Sequence, residues 1–282
     1  MTHKFTLAFF ILTAFAFTRC TNAPSGEQQP AEGDNMAKFT SDSNFAKAHE
    51  TPENIAFQGR GEMTEFPTPD GRTGKAYLVK PAAPANKFLF LLHEWWGLND
   101  QIKRETERLA GSLGNVTVMA LDLYDGNATG DAGKAGELMN AVKPERCNAI
   151  INGALAVAGP DARIATVGWC FGGGWSLRSS ILAGGRGAGC VMYYGLPVEK
   201  AYELAPLQAD VLGIFAKKDD WINEGVVGKF EALAKATGKN LEVHWYDAAH
   251  AFANPSSPRY NEAAAQEANK LALDFLRQHL ED

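Results

Sequence analysis

An α/β fold, with a mainly parallel central sheet covered by helices on both faces, is predicted by three features of the sequence. Short continuous apolar runs alternate with stretches of helical length and amphipathic spacing, the pattern of strands buried on both faces. A glycine-rich turn, Gly168-Trp-Cys170-Phe-Gly-Gly173, joins one such run to an apolar helical stretch. The length of 282 residues fits one large domain with an accessory N-terminal segment.

The first element is an N-terminal leader. His3 and Lys4 precede an apolar run from Phe5 to Phe17, too short to span a bilayer comfortably, and this reads as an export signal over residues 1–19. Cys20 follows the run as in a bacterial lipoprotein, although Arg19 stands where that pattern wants a small residue. A lipid-anchored chain in the cell envelope or periplasm is therefore expected, with an ordinary secreted chain as the alternative. Residues 20–54 are rich in Pro, Gly, Gln, Asn and Ser and poor in large apolar side chains, so a flexible tether is expected there. The alternative is a small ordered cap around Phe39 to Phe45.

The domain is expected over residues 55–282. Ile55–Phe66 and Gly74–Val79 read as an edge hairpin turned at Pro69-Asp-Gly-Arg72. Lys87–Leu92 is the first buried strand, followed by a helix at Asp100–Leu113, a strand at Val116–Leu123 and helices at Ala132–Val142 and Cys147–Ala158. After the glycine-rich turn and its helix come strands at Cys190–Tyr194 and Val211–Ala216, a helix at Gly225–Ala236, a strand at Leu241–Tyr246 and a final helix at Glu262–Leu280.

Lys+Arg 27 against Asp+Glu 33 gives a net charge of −6, with no long run of one sign, which argues against a nucleic-acid-binding surface. Export would permit a Cys147–Cys190 disulfide, but Cys190 opens an apolar strand, so both are expected to be unbridged core thiols.

Chemistry concentrates at Cys170. A G-x-C-x-G turn between strand and helix is a nucleophile elbow with sulfur in place of the usual hydroxyl. The turn lifts the sulfur beside free N–H groups at a helix start, where a developing anion is stabilised. Around such a turn the acid and the histidine follow the nucleophile in the chain. Asp219 and Asp220 follow the strand Val211–Ala216, and Asp219, nearer the strand end, is the favoured orienter. Of the histidines, His3 lies in the leader, His49 in the tether, His244 within a strand and His279 at the C-terminus. His93 and His250 remain; His93 precedes the nucleophile, so His250 is the expected base.

A second loop, His93-Glu94-Trp95-Trp96-Gly97-Leu98-Asn99, follows the first buried strand. Glu94 between aromatic side chains needs a partner or a raised pKa.

Taken as a set, Glu94-Trp-Trp-Gly-Leu-Asn99, Asp122-Leu-Tyr124, Gly168-Trp-Cys170-Phe-Gly-Gly173, Tyr193-Tyr-Gly195, Asp219 and His250-Ala-Phe252 resemble the dienelactone hydrolase family from about Thr64 to Leu280. The resemblance implies the α/β-hydrolase fold and a Cys-His-Asp triad, Cys170, His250 and Asp219, that cleaves an ester or lactone without metal or organic cofactor. It implies an oxyanion hole from the N–H groups of Trp95 and Phe171, and a Glu94 that interacts with the resting thiol. Trp96, Tyr124, Phe252 and Arg259 are the expected substrate-binding residues. Where the best-known members bind a substrate carboxylate with two arginines, this sequence has Gly126, beside Asp125, and Asn254. Arg259 is a possible substitute, and Asp125 is expected to repel an anion. The sequence thus predicts an exported cysteine hydrolase of esters or lactones. A catalytically silent lipoprotein that binds a carbohydrate or lipid-derived ligand is the alternative from another class, and a peptidase or thioesterase the alternative within hydrolases.

Overall fold

A computed structural model describes residues 1–2, 35–53 and 57–281. The apolar stretch of the expected export signal and Cys20 lie outside the described residues. Among those residues no helix is long and apolar enough to cross a membrane.

Eight strands form one sheet: β1 (Glu62–Pro67), β2 (Thr73–Val79), β3 (Lys87–Leu92), β4 (Thr117–Leu121), β5 (Arg163–Trp169), β6 (Gly187–Tyr193), β7 (Asp210–Lys218) and β8 (Leu241–Ala249). Their spatial order is β1-β2-β4-β3-β5-β6-β7-β8. β1 and β2 pair antiparallel, β2 runs antiparallel to β4, and every pairing from β4 to β8 is parallel. The helices are α1 (Ser43–Ala48), α2 (Asp100–Leu113), α3 (Ala132–Ala141), α4 (Pro144–Ala158), α5 (Phe171–Ala183), α6 (Ala201–Leu204), α7 (Glu224–Ala236) and α8 (Glu262–Glu281).

The parallel strands are apolar along their whole length because both faces are covered. Leu89, Phe90, Leu91 and Leu92 of β3 are all fully buried. α2 and α8 pack on each other and on strands, as do α4 and α5. α5 carries apolar or small residues on every side and lies buried against β3, β5 and β6. Its start is held close to β3 by glycine: a Cβ on Gly172 would collide with the carbonyl oxygens of Leu92 and His93.

Most elements sit where their patterns place them, including β3 and α2 at the predicted bounds. The first strand is shorter than expected, beginning at Glu62 rather than near residue 55. Cys147 and Cys190 are buried and not disulfide-bonded.

The segment expected to be a flexible tether needs a larger correction. Residues 35–53 are described, and they hold a 3-10 turn at Asn35–Phe39 followed by α1. Asp42 caps α1 by accepting a hydrogen bond from the Asn44 N–H at 2.8 Å. Met36 and Phe45 are fully buried, so two large apolar side chains supply what the polar composition of the segment conceals. Phe45 meets Trp95 and Trp221 edge-on at 5.2 and 5.1 Å, and Trp221 donates its indole N–H to Asp42 at 3.1 Å.

Candidate active site

Three loops at the carboxyl ends of β5, β7 and β8 place Cys170, Asp219 and His250 together. Cys170 occupies the single residue between β5 and α5, with φ of 52° and ψ of −119°. A positive φ in a residue with a Cβ is strained, and the turn is held by the Cys170 N–H donating to the Tyr193 carbonyl at 3.0 Å. The Phe171 N–H faces the sulfur, as a helix N-terminus does.

Asp219 is buried just past β7. Its Oδ1 accepts hydrogen bonds from the N–H groups of Trp221 and Ile222, each at 2.9 Å, leaving Oδ2 for His250 Nδ1 at 2.6 Å. Asp220 beside it is exposed, as the preference for Asp219 required. Burial opposes ionisation of the aspartate, but His250 and the two backbone donors hold its pKa below the ordinary value. Burial likewise opposes charging His250, yet the negative charges of Asp219 and Cys170 hold it well above its ordinary value. With Nδ1 bound to Asp219, Nε2 is left without a hydrogen-bond partner and buried. Burial raises the Cys170 pKa, and the charge of His250 partly offsets this.

His49, set aside in the sequence with the tether, is the side chain that actually touches the thiol. Its Nδ1 donates to the Phe45 carbonyl at 2.7 Å, and its Nε2 lies 3.7 Å from Cys170 Sγ. The ring stacks on Trp95 at 4.7 Å and meets His250 edge-on at 5.4 Å. Burial, then the charge of His250, push its pKa down to about 3, so it is a neutral acceptor and not a base. The signal for it was local: an Asp42 cap, then Phe45 and His49 four residues apart on one helical face.

Glu94 is buried, with Oε2 accepting from Asn254 at 2.5 Å and Oε1 from the Tyr194 hydroxyl at 3.4 Å. Burial pushes its pKa up to about 7, with these two bonds partly offsetting the effect. The implied contact between Glu94 and the resting thiol is thus replaced: the carboxylate is held by Asn254 and Tyr194, and the thiol by His49. Asn254 is no vacant arginine position but the residue that anchors Glu94.

The remaining expected residues divide. Trp95 is fully buried beside His49 and Phe45, and Trp96 packs edge-on against Trp95. Phe252 is buried against Tyr194, whose ring lies 5.0 Å from His250. Tyr124 lies behind the elbow against His93 and Phe171. His93 is structural: Nδ1 donates to the Glu94 carbonyl and Nε2 accepts from the Leu123 N–H. Arg259 lies partly exposed on an open cavity of about 800 Å³ with Lys218 and Asp247, close enough for its charge to help keep His49 neutral. Asp125 does not present a bare negative charge, because Arg146 at 2.6 Å and Arg72 at 2.8 Å neutralise it.

A mainly parallel sheet with a nucleophile elbow after β5, a carboxylate after β7 and a histidine after β8 defines an α/β hydrolase. The chain belongs to the dienelactone hydrolase family, which it matches over residues 75–280. It is 29% identical over 220 residues to carboxymethylenebutenolidase 1 of Cupriavidus pinatubonensis, covering 73% of this chain and 92% of the relative. It is also 29% identical over 224 residues to the carboxymethylenebutenolidase of Pseudomonas putida, again covering 73% of this chain and 92% of the other. Among solved structures, a dienelactone hydrolase-like promiscuous phosphotriesterase from metagenomic libraries superposes with a TM-score of 0.66 at 19% identity, covering 78% of this chain and 99% of that one. The protein is thus a dienelactone hydrolase-like enzyme of the ester- and lactone-cleaving class.

Proposed function

We propose that Cys170 cleaves a neutral ester or lactone through a thioester, with His250 as base and acid and Asp219 as its orienter. The observation that carries this reading is the buried relay at the elbow. Asp219 holds His250 Nδ1 at 2.6 Å, and a ring nitrogen of His250 lies within 4.8 Å of the sulfur. In the first step the sulfur attacks the acyl carbon while its proton passes to His250 Nε2. The tetrahedral oxyanion is stabilised by the N–H groups of Phe171 and Trp95. Its collapse expels the alkoxide, which takes the proton from His250 and, in a lactone, stays tethered to the acyl group. Water then gives a proton to His250 and attacks the thioester, and the thiolate leaves and is reprotonated.

The preference for a neutral substrate rests on positions 126 and 254. Neither carries a guanidinium, and Asn254 is committed to Glu94. One charge-assisted contact to a substrate carboxylate is worth about 1.5–3 kcal/mol, so its loss costs roughly tenfold or more in kcat/KM. An ester and lactone panel assayed with the wild type and Cys170→Ala tests both parts. Wild-type activity on neutral substrates is expected, with loss in the variant; activity near wild type in Cys170→Ala rejects the assignment. A clear preference for an anionic lactone, abolished by Arg259→Ala, rejects the neutral-substrate reading.

The basic start, the short apolar run and Cys20 support an exported chain that is lipid-anchored in the cell envelope. Fractionation with membranes, lost in Cys20→Ala, is the expected result; a protein cleaved elsewhere in the leader and left unlipidated overturns it.

A further inference from the structure

The geometry points to a second use of the same pocket: His49, Cys170 and His250 form a binding site for a thiophilic divalent cation of the Zn²⁺ type, whose occupancy silences the hydrolase. The three ligand atoms lie within 4.8 Å of one another, and all three residues are buried. A tetrahedral zinc with Zn–S of about 2.3 Å and Zn–N of about 2.0–2.1 Å sets its nitrogen and sulfur ligands about 3.6 Å apart. His49 Nε2 and Cys170 Sγ are 3.7 Å apart.

The tautomers suit a metal as well as the distances do. Histidine ligands of metals are held by a hydrogen bond from the other ring nitrogen to a carboxylate or a backbone carbonyl. Here His250 Nδ1 is bound by the Asp219 carboxylate and His49 Nδ1 by the Phe45 carbonyl. Two imidazoles and a thiol select a borderline d-block ion; a hard cation such as Mg²⁺ demands oxygen ligands.

Binding is balanced by the loss of one proton. The ion takes a thiolate and two neutral imidazoles, and the proton shared by Cys170 and His250 leaves to solvent. A fourth position remains for water. The metal performs no catalytic step: it occupies the lone pairs of both the nucleophile and the base. Cys190, whose sulfur faces the Ser176 hydroxyl at 3.5 Å, has no such surroundings.

Chelator-stripped protein is titrated with Zn²⁺ against a chromophoric chelator, and separately with Co²⁺, whose thiolate ligation gives a near-ultraviolet charge-transfer band. One Zn²⁺ per chain, a Co²⁺ band lost in Cys170→Ser, and affinity reduced about tenfold or more in both His49→Ala and His49→Gln are expected. In the wild type, Zn²⁺ should protect Cys170 from alkylation until chelator is added, which decides the matter even where a variant fails to fold. Co²⁺ bound with no thiolate band, unchanged affinity in both His49 variants, or Cys170 alkylated equally with and without Zn²⁺ would each overturn the site. Loss of hydrolysis on Zn²⁺ addition rests on the hydrolase reading. If the metal-free protein cleaves no ester or lactone, that reading fails, while the cobalt band and the alkylation test still judge the metal site.

Discussion

Cys170 is only 1% exposed and its sulfur faces His49, so the resting nucleophile is a thiol held out of water. A thiol and a hydroxyl differ in how much base they need. Free cysteine titrates near 8.5, and serine depends wholly on the base. Cys170→Ser is therefore expected to keep the fold and lose about 100-fold or more in kcat, read from far-ultraviolet dichroism and steady-state kinetics. An unimpaired serine variant would mean that the pocket is not tuned to sulfur. Glu94 makes a prediction about stability. Its folded pKa, near 7, lies above the unfolded value near 4.5, so the folded state holds the proton more tightly between those limits. Its contribution to stability is full below about pH 4.5, falls as pH rises through that window and is lost above pH 7. Denaturant melts at pH 5 and 7.5 should show that Glu94→Gln removes this fall; equal pH dependence in variant and wild type would contradict the burial argument.

At the scale of the element, α1 decides how the site is reached. It brings His49 and Phe45 over Trp95 and the thiol, so an ester reaches the sulfur only when this covering segment shifts. His49 also makes its docking sensitive to acid. The folded pKa near 3 lies below the unfolded value of 6.5, so the undocked segment binds more protons in between. Docking is expected to weaken as pH falls below about 6.5. Hydrogen exchange at pH 7 and pH 5, corrected for intrinsic rates, should show protection lost over residues 35–53 while β3, β5 and β6 stay protected. His49→Gln should flatten the response. Unchanged protection of the segment at pH 5 would show that neighbours such as His250 and Arg259 do not set its charge as described.

For the molecule as a whole, stability is expected to reside in the apolar sheet and its helices rather than in cross-links. Cys147 and Cys190 are buried and unbridged, and burial pushes the Cys190 pKa up to about 11, so this thiol is inert at neutral pH. A reductant should leave the thermal midpoint unchanged. A fall of several degrees would reveal a disulfide and redirect attention to the redox history of the protein.

Strand and helix positions were legible because their cause is local. Parallel strands buried on both faces are continuous apolar runs, and the elbow announces itself through glycines whose Cβ atoms would strike the neighbouring chain. The order of Cys170, Asp219 and His250 at strand ends was legible for the same reason. What lay beyond the sequence depended on distant partners. The polar residues around His49 made its segment look solvated, and only packing of Phe45 on Trp95 and Trp221 brought the imidazole to the thiol. Asp125 looked repulsive until folding set Arg146 and Arg72 beside it, 21 and 53 residues away in the chain. Asn254 looked like a missing arginine until Glu94, 160 residues away, became its partner. Backbone periodicity is written in neighbouring residues, but the charge state and access of a buried site are set by side chains that meet only after folding.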